Sequence, residues 1–360
     1  MAGPLAGLTI VEMAGLGPGP FAAMMLADHG AEVIRVERAG MIGFDGDPLL
    51  RNRRSIALDL KRDECRAVVR QLAERADGLV EGYRPGVMER LGLGPDALIE
   101  GNPRLVYGRV TGWGQDGPLA DAAGHDINYL AVTGLLSCIG DKDRPPVPPL
   151  NLVADYAGGG MMLAFAMVAA LLAVQRGGAG QVIDAAMTDG AALTGALVFG
   201  LRAAGHWADE RGANLLDGGD PLYGCYRCAD GKHLALGAIE PQFREALVEG
   251  LGIEEVTRKS VATAVSKRSR DQWVAHFSGK DACVAPVLSL GEAPAHLHNR
   301  ARGTFINVDG VLQPGPAPHY SETRCDPPSP PRREGEDGEA ILAELGYGHG
   351  EIQRILKGPE

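Results

Sequence analysis

The sequence of 360 residues predicts an α/β fold, with a large domain built on a parallel sheet and a small α+β domain after it. Three observations point there. Residues 8–13 and 32–37 are apolar strand patterns joined by a turn and a helix at 21–28, a β-α-β unit that implies parallel pairing. Glycine is abundant, at 51 residues, which suits tight turns and close backbone approaches. Composition changes near residue 222, where strand patterns at 222–227 and 232–237 flank a turn at Asp230 and Gly231 and read as an antiparallel hairpin.

The elements follow in order. Gly15-Leu16-Gly17-Pro18-Gly19-Pro20 is the first turn; Pro20 suits the first helical position and Gly30 ends the helix. The glycines fall short of a dinucleotide-binding G-x-G-x-x-G, because the third comes one position early and two prolines remove N–H groups that would face a pyrophosphate. Strands are expected at 55–58, 78–83, 105–110 and 181–186, and helices at 66–74 and 187–204. The apolar run 156–174 is near the lower length for spanning a bilayer, but an aspartate and three glycines open it, so it reads as a buried core helix. Helices at 242–250 and 270–277, a strand at 284–290 and a short helix at 293–300 make up the small domain. A linker at 326–338 leads to amphipathic helices at 339–345 and 351–356, which must dock, with the large domain as the candidate surface. The expected domains are 1–205, a linker 206–222, a small domain 223–305, and a returning tail 306–360.

Composition narrows the function. A net charge of −11 argues against a nucleic-acid partner. Six cysteines are too few for a disulfide scaffold, and Cys225 and Cys228 lack a second ligand pair for zinc, so no metal is expected. The N-terminus has no basic segment of a secretory signal, and Lys357-Gly358-Pro359-Glu360 is not a peroxisomal address. A cytoplasmic, reducing setting is the default, with no membrane partner. Basic residues gather near strand ends: Arg38, Arg51, Arg53, Arg54, Lys61, Arg84 and Arg90. They would suit a ligand with several phosphates, and equally a solvated basic surface.

The chemistry centres on Gly124-His125-Asp126-Ile127-Asn128-Tyr129. It sets an imidazole beside a carboxylate at the mouth of an apolar run, where Asp126 or Asn128 can cap a helix. A second carboxylate, Asp155, opens the next apolar run, and a third acid, Glu240, precedes Pro241. His125 is suited to proton transfer near neutral pH, Asp155 to the opposing role or to nucleophilic attack, and Glu240 to orienting the imidazole. Free N–H groups at the helix start could receive a developing oxyanion. Together these would remove a proton next to a carbonyl.

These motifs resemble the racemases of the family III CoA-transferase superfamily. The resemblance is carried by Gly15 to Pro20, Leu58-Asp59-Leu60-Lys61, Thr111-Gly112-Trp113-Gly114-Gln115, the run Gly124 to Tyr129, Leu150 to Asp155, Asn214 to Gly219, and Gly237 to Gln242, in family order. It implies an acyl-CoA substrate with a 2-methyl branch, epimerised by proton transfer through an enolate. His125 would take the proton from one epimer and Asp155 from the other, with Glu240 beside the imidazole and backbone N–H groups near Asp126 on the enolate oxygen. Coenzyme A contacts carry over to Arg38, Leu58, Asp59, Leu60, Lys61, Gly82, Tyr83, Arg84, Arg90, and the run Gly124, His125, Asp126, Ile127, Asn128 and Tyr129. The resemblance further implies a Rossmann-like large domain and an interlocked homodimer, with no cofactor because coenzyme A belongs to the substrate. The sequence departs from the pattern at Ala179, where the family often has lysine, and over 254–268, which is shorter and more basic.

Three other readings compete. A CoA transferase would use Asp155 as nucleophile and give His125 no required role. An NAD-dependent dehydrogenase is weakened by the broken glycine pattern. A non-catalytic CoA-binding protein would keep Arg38 and Lys61 but need no paired acid and base.

Overall fold

A computed structural model describes residues 2–38, 40, 44 and 46–357. The last three residues, on which the C-terminal address was read, and Met1 lie outside the described residues. The elements are β1 (Thr9–Met13), α1 (Pro18–Asp28), β2 (Glu32–Glu37), β3 (Arg53–Ala57), α2 (Asp63–Arg75), β4 (Gly78–Glu81), α3 (Val87–Arg90), α4 (Pro95–Gly101), β5 (Val106–Thr111) and α5 (Asp126–Val132). A π-helical segment, Leu152–Met161, then runs into α6 (Met162–Gln175), followed by β6 (Gln181–Ala186), α7 (Met187–Thr194) and α8 (Ala196–Ala203). After these come β7 (Tyr223–Arg227), β8 (His233–Gly237), α9 (Pro241–Leu251), α10 (Arg258–Val265), α11 (Arg270–Phe277), β9 (Val284–Val287), α12 (Leu297–Arg302), β10 (Phe305–Val308), β11 (Val311–Pro314), α13 (Gly338–Leu345) and α14 (His349–Lys357).

The chain forms two compact units. The first takes the residues up to Thr133, Pro149–Thr194, and the chain from Gly303 onward; the second takes Gly134–Pro148 and Gly195–Arg302. The expected large-domain limit at 205 therefore falls inside the second unit. The expected helix 187–204 is divided at Gly195 into α7 and α8, and a side chain at Gly195 would run into Leu135.

The first unit is organised by a six-stranded parallel sheet in the order β3-β2-β1-β4-β5-β6. The order reverses between β1 and β4, so the loops after these strands open a crevice at their carboxyl ends, where open α/β sheets hold ligands. On one face α6 packs on β5 and β6. Gly78 and Gly108 leave the space that Met167 and Leu163 of α6 fill. The other face is covered by α2, with Val68, Val69 and Leu72, and by the tail, whose Ile341, Leu342, Ile352 and Ile355 join the same core. The expected docking of the terminal helices is thus seen within this unit. Arg75 donates to the carbonyls of Glu344 and Leu345, and Arg62 to those of Arg354 and Ile355, so two arginines of the α2 region meet the exposed C-terminal carbonyls of α13 and α14.

A charged layer lies under the sheet's edge. Glu12, fully buried, accepts from Arg35 at 2.6 Å and from Arg53 at 3.0 Å. Arg51 donates to Asp28, and Arg54 to Glu32 and Glu344. This corrects the reading of the basic residues as one ligand-binding group. Arg51, Arg53 and Arg54 stand at the amino end of β3 and are committed to carboxylates.

The expected core helix at 156–174 buries one face, with Leu163, Met167 and Leu171 in the core. Leu152–Gln175 is long and apolar enough to cross a bilayer, and half of its most apolar stretch is buried within the protein. Met161, at the end of the π-helical segment, and Phe165, Val168 and Leu172 of α6 are exposed in one stripe.

The second unit holds the antiparallel sheet β7-β8-β9. Leu234 and Leu236 of β8 pack with Leu247, Val261, Trp273 and Phe277 from α9, α10 and α11. The hairpin at 222–237 and the helix at 270–277 stand as expected. The helix α10, absent from the expectation, starts at a capping box between Thr257 and Ser260.

Candidate active site

Three of the expected acid and base groups converge in the first unit. His125 is extended and exposed just ahead of α5, and its N–H donates to Asn128 Oδ1 at 3.0 Å. Asp126, the first residue of α5, turns inward and is 4% exposed. Its Oδ2 accepts from the N–H groups of both Ala154 and Asp155 at 2.8 Å. These are donors at the start of the π-helical segment, and Asp126 caps them from another element.

Asp155 is half-buried and projects from that segment. Asn151 Nδ2 donates to its Oδ2 at 3.3 Å. Burial is the main reason its carboxyl is held above the usual carboxylate range; the Asn151 hydrogen bond opposes this, Asp126 adds to it, and His125 opposes it. The imidazole and the carboxyl therefore lie close enough to act on each other.

Small residues make this convergence possible. Gly158, Gly159 and Gly160 are buried, packed against Gly190, Met187, Pro18 and Phe21. Gly17 adopts φ 68°, and a Cβ there would lie 3.4 Å from Asp155 Oδ2. The first glycine turn thus faces the Asp155 carboxylate. The Phe21 and Tyr156 rings pack at 4.7 Å.

Helix α5 is held by the loop after β5. Gly112 leaves the space that the Tyr129 ring occupies, Trp113 meets that ring edge-on at 4.9 Å, and the Tyr129 hydroxyl donates to the Gly124 carbonyl. Trp113 Nε1 donates to Ala122 at 3.1 Å, which ties the loop back on itself. Burial raises the Tyr129 phenol above its usual range; Asp155 adds to this and Arg84 opposes it. Among the described residues, the N–H groups of Asp126 and Ile127 have no acceptor.

A cleft of about 340 Å³ opens beyond the carboxyl ends of β2, β3 and β4. Arg38, Leu58, Asp59, Leu60, Lys61 and Tyr83 line it, six of the expected contacts with coenzyme A. Ala14, Val36, Val87 and Leu91 add apolar wall that the motifs did not mark. Gly82, Arg84 and Arg90 are exposed on the adjoining loop and helix. Among the described residues, the side chains of Arg38, Lys61, Arg84 and Arg90 form no ion pair, in contrast to Arg51, Arg53 and Arg54. Glu240 is in the second unit, exposed at the N-terminus of α9 ahead of Pro241. The other three share the first unit. Ile127 and Asn128 are exposed on α5. Sequence reasoning gave Asn151 no role of its own, although its position four residues before Asp155, one helical turn away, carried the signal.

A parallel sheet with a crevice at its switch point, a cleft with unpaired cations, and an imidazole near a carboxyl are the parts of an enzyme site for an anionic substrate. The sequence model of CoA-transferase family III matches residues 5–338, and the chain belongs to that family. It is 45% identical to the α-methylacyl-CoA racemase of Mus musculus, over 98% of this chain and 96% of that protein. It is 44% identical to the Homo sapiens racemase, with the same coverage. The solved structure of a CaiB/BaiF family protein from Brucella suis superposes with a TM-score of 0.83 at 27% identity, covering 96% of this chain and 100% of that one.

Proposed function

We propose that this protein is an α-methylacyl-CoA racemase, an isomerase that interconverts the 2R and 2S epimers of 2-methylacyl-CoA thioesters. The observation that carries the reading is the pairing of His125 with Asp155 through Asp126, beside a cleft with cations free to meet phosphates. Coenzyme A would lie in that cleft, with Arg38 and Lys61 on its phosphates and Tyr83 and the apolar wall on its adenosine end. Arg84 would direct the thioester toward Asp155.

One group then removes the α-proton and the other returns a proton to the opposite face. From one epimer His125 is the base and Asp155, in its carboxylic acid form, the donor; from the other the roles exchange. The electron pair of the broken C–H bond moves onto the thioester oxygen, forming an enolate. The free N–H groups of Asp126 and Ile127 are the donors suited to that oxygen. A carboxyl held above its usual range suits both halves of the cycle, since it takes and returns a proton nearer neutral pH. Glu240 would orient the imidazole, as the family pattern implies.

The exposed stripe of Met161, Phe165, Val168 and Leu172 supports a homodimer in which a second copy covers α6. The six free cysteines support a reducing, cytoplasmic setting. A CoA transferase is the second reading, because Asp155 could attack a thioester, but it leaves the neighbouring imidazole without work.

The test is incubation with (2R)-2-methylacyl-CoA in deuterated water. Racemisation brings deuterium into the α-position and forms the 2S epimer. Transfer of coenzyme A to an added carboxylate, with no label at the α-carbon, would establish the transferase instead.

A further inference from the structure

Asp126 does more than begin a helix. It follows His125 in the chain, and its Oδ2 bonds across to the N–H groups of Ala154 and Asp155 at 2.8 Å each. Its other oxygen, Oδ1, is buried and has no hydrogen-bond partner among the described residues. A buried carboxylate with one oxygen unpaired is costly, and such groups are rare without a reason. A carboxylate that served only as a cap could be replaced by serine or threonine without burying a charge.

We propose that Asp126 is a positioning residue, whose carboxylate ties the backbone under Asp155 to the backbone that carries His125 and so sets the separation of the two. The proposal rests on the racemase reading and assigns that site a third member. The N–H groups of Ala154 and Asp155 that Asp126 holds lie in the first turn of a π-helix, a form that usually appears as a single turn and often at functional sites.

The anchoring has an electrostatic consequence. Charge left on the unpaired Oδ1 acts on the neighbouring carboxyl, favouring its protonated form. Asp155 then becomes a stronger base when ionised. The groups that shift Asp155 are Asn151, Asp126 and His125. The other charged groups on elements packed against its segment are Asp189 on α7, Arg109 on β5, Asp184 on β6 and Asp28 at the far end of α1, and none of them is among these.

Asp126→Asn keeps an acceptor oxygen for the two N–H groups and removes the charge; Asp126→Ala removes both. The readout is the pH dependence of kcat/KM for α-proton exchange on 2-methylacyl-CoA, with circular dichroism and coenzyme A binding as checks on folding. Removing a negative neighbour lowers the pH at which Asp155 takes its proton, so Asp126→Asn moves the acidic limb to lower pH. Its kcat falls about tenfold, less than the roughly 10²–10⁴-fold that a general base itself contributes, and KM stays within about threefold. Asp126→Ala loses the anchor as well and falls further. A wild-type acidic limb and kcat in Asp126→Asn would overturn the proposal.

Asp155→Asn, assayed in parallel, separates the two claims, since undiminished exchange there overturns the racemase reading itself. A carboxyl ¹³C titration of wild type and Asp126→Asn reads the same effect without turnover: the Asp155 midpoint should fall in the variant, and an unchanged midpoint would overturn the electrostatic part.

Discussion

Gly17 and Asp155, far apart in sequence, meet so closely that a Cβ on the glycine would stand 3.4 Å from a carboxylate oxygen. The glycine's φ of 68° with ψ of −116° is a conformation that side chains rarely adopt. The turn after β1 therefore sets its glycine against an acid well over a hundred residues later in the chain.

Gly17→Ala should accordingly strain the turn, at its φ of 68°, by about 1–3 kcal/mol, and relief of that strain should shift the backbone against Asp155. A displacement of about 1 Å can cost on the order of 10²-fold in rate, so kcat should fall at least tenfold while KM for the thioester moves little. Steady-state kinetics with a purified 2-methylacyl-CoA checks this. An unchanged kcat would mean that the contact has no bearing on Asp155.

The cations divide into two classes that mutagenesis can separate. Arg38 and Lys61 line the cleft without ion pairs, whereas Arg54 is held by Glu32 and Glu344. Arg38→Ala and Lys61→Ala should each raise KM about tenfold or more, since hydrogen bonds to charged groups contribute about 1.5–3 kcal/mol. Their kcat should stay near wild type, and the effect should shrink in high salt. Arg54→Ala should leave KM unchanged. Equal KM in all three variants would remove coenzyme A from this cleft.

Glu12 is predicted to be structural. It is fully buried between Arg35 and Arg53, at 2.6 and 3.0 Å. Glu12→Ala would leave the buried Arg53 without a carboxylate, while Arg35 keeps Glu37 at 3.2 Å, and breaking such a buried pair costs roughly 3–5 kcal/mol. Urea denaturation should show the loss as a lower midpoint. A midpoint within error of wild type would mean that water reaches the pair.

Much of this was legible in the sequence, for physical reasons that differ from part to part. The β-α-β unit at 8–37 shows because a buried parallel strand is apolar throughout and a glycine-proline turn marks its end. The cleft residues Leu58 to Lys61 show because their motif is contiguous. The arginines at 51, 53 and 54 do not, since composition cannot tell a free cation from one paired with Glu12 or Glu344, distant in sequence. The exposed stripe on α6 is hidden for a related reason. An apolar run reports a preference for leaving water, and the same residues satisfy it inside the chain or against another surface. Gly195 was passed over inside an apolar helix because its need for space arises from Leu135, a tertiary contact. Asp126 was placed at the site through its backbone, while its side chain's bonds to Ala154 and Asp155 depend on a turn of chain that no local pattern encodes.

The central claim is that His125 and Asp155 act on opposite faces of one carbon, and label wash-out from each epimer separately tests it most directly. Thioesters deuterated at the α-carbon, one 2R and one 2S, are supplied in light water to His125→Ala and Asp155→Asn, and initial loss of label is followed by mass spectrometry. Each variant should release label from one epimer and lose at least about 10²-fold of its release from the other, with the spared epimer reversed between the two variants. Equal wash-out from both epimers in either variant would contradict the assignment of one residue to each face.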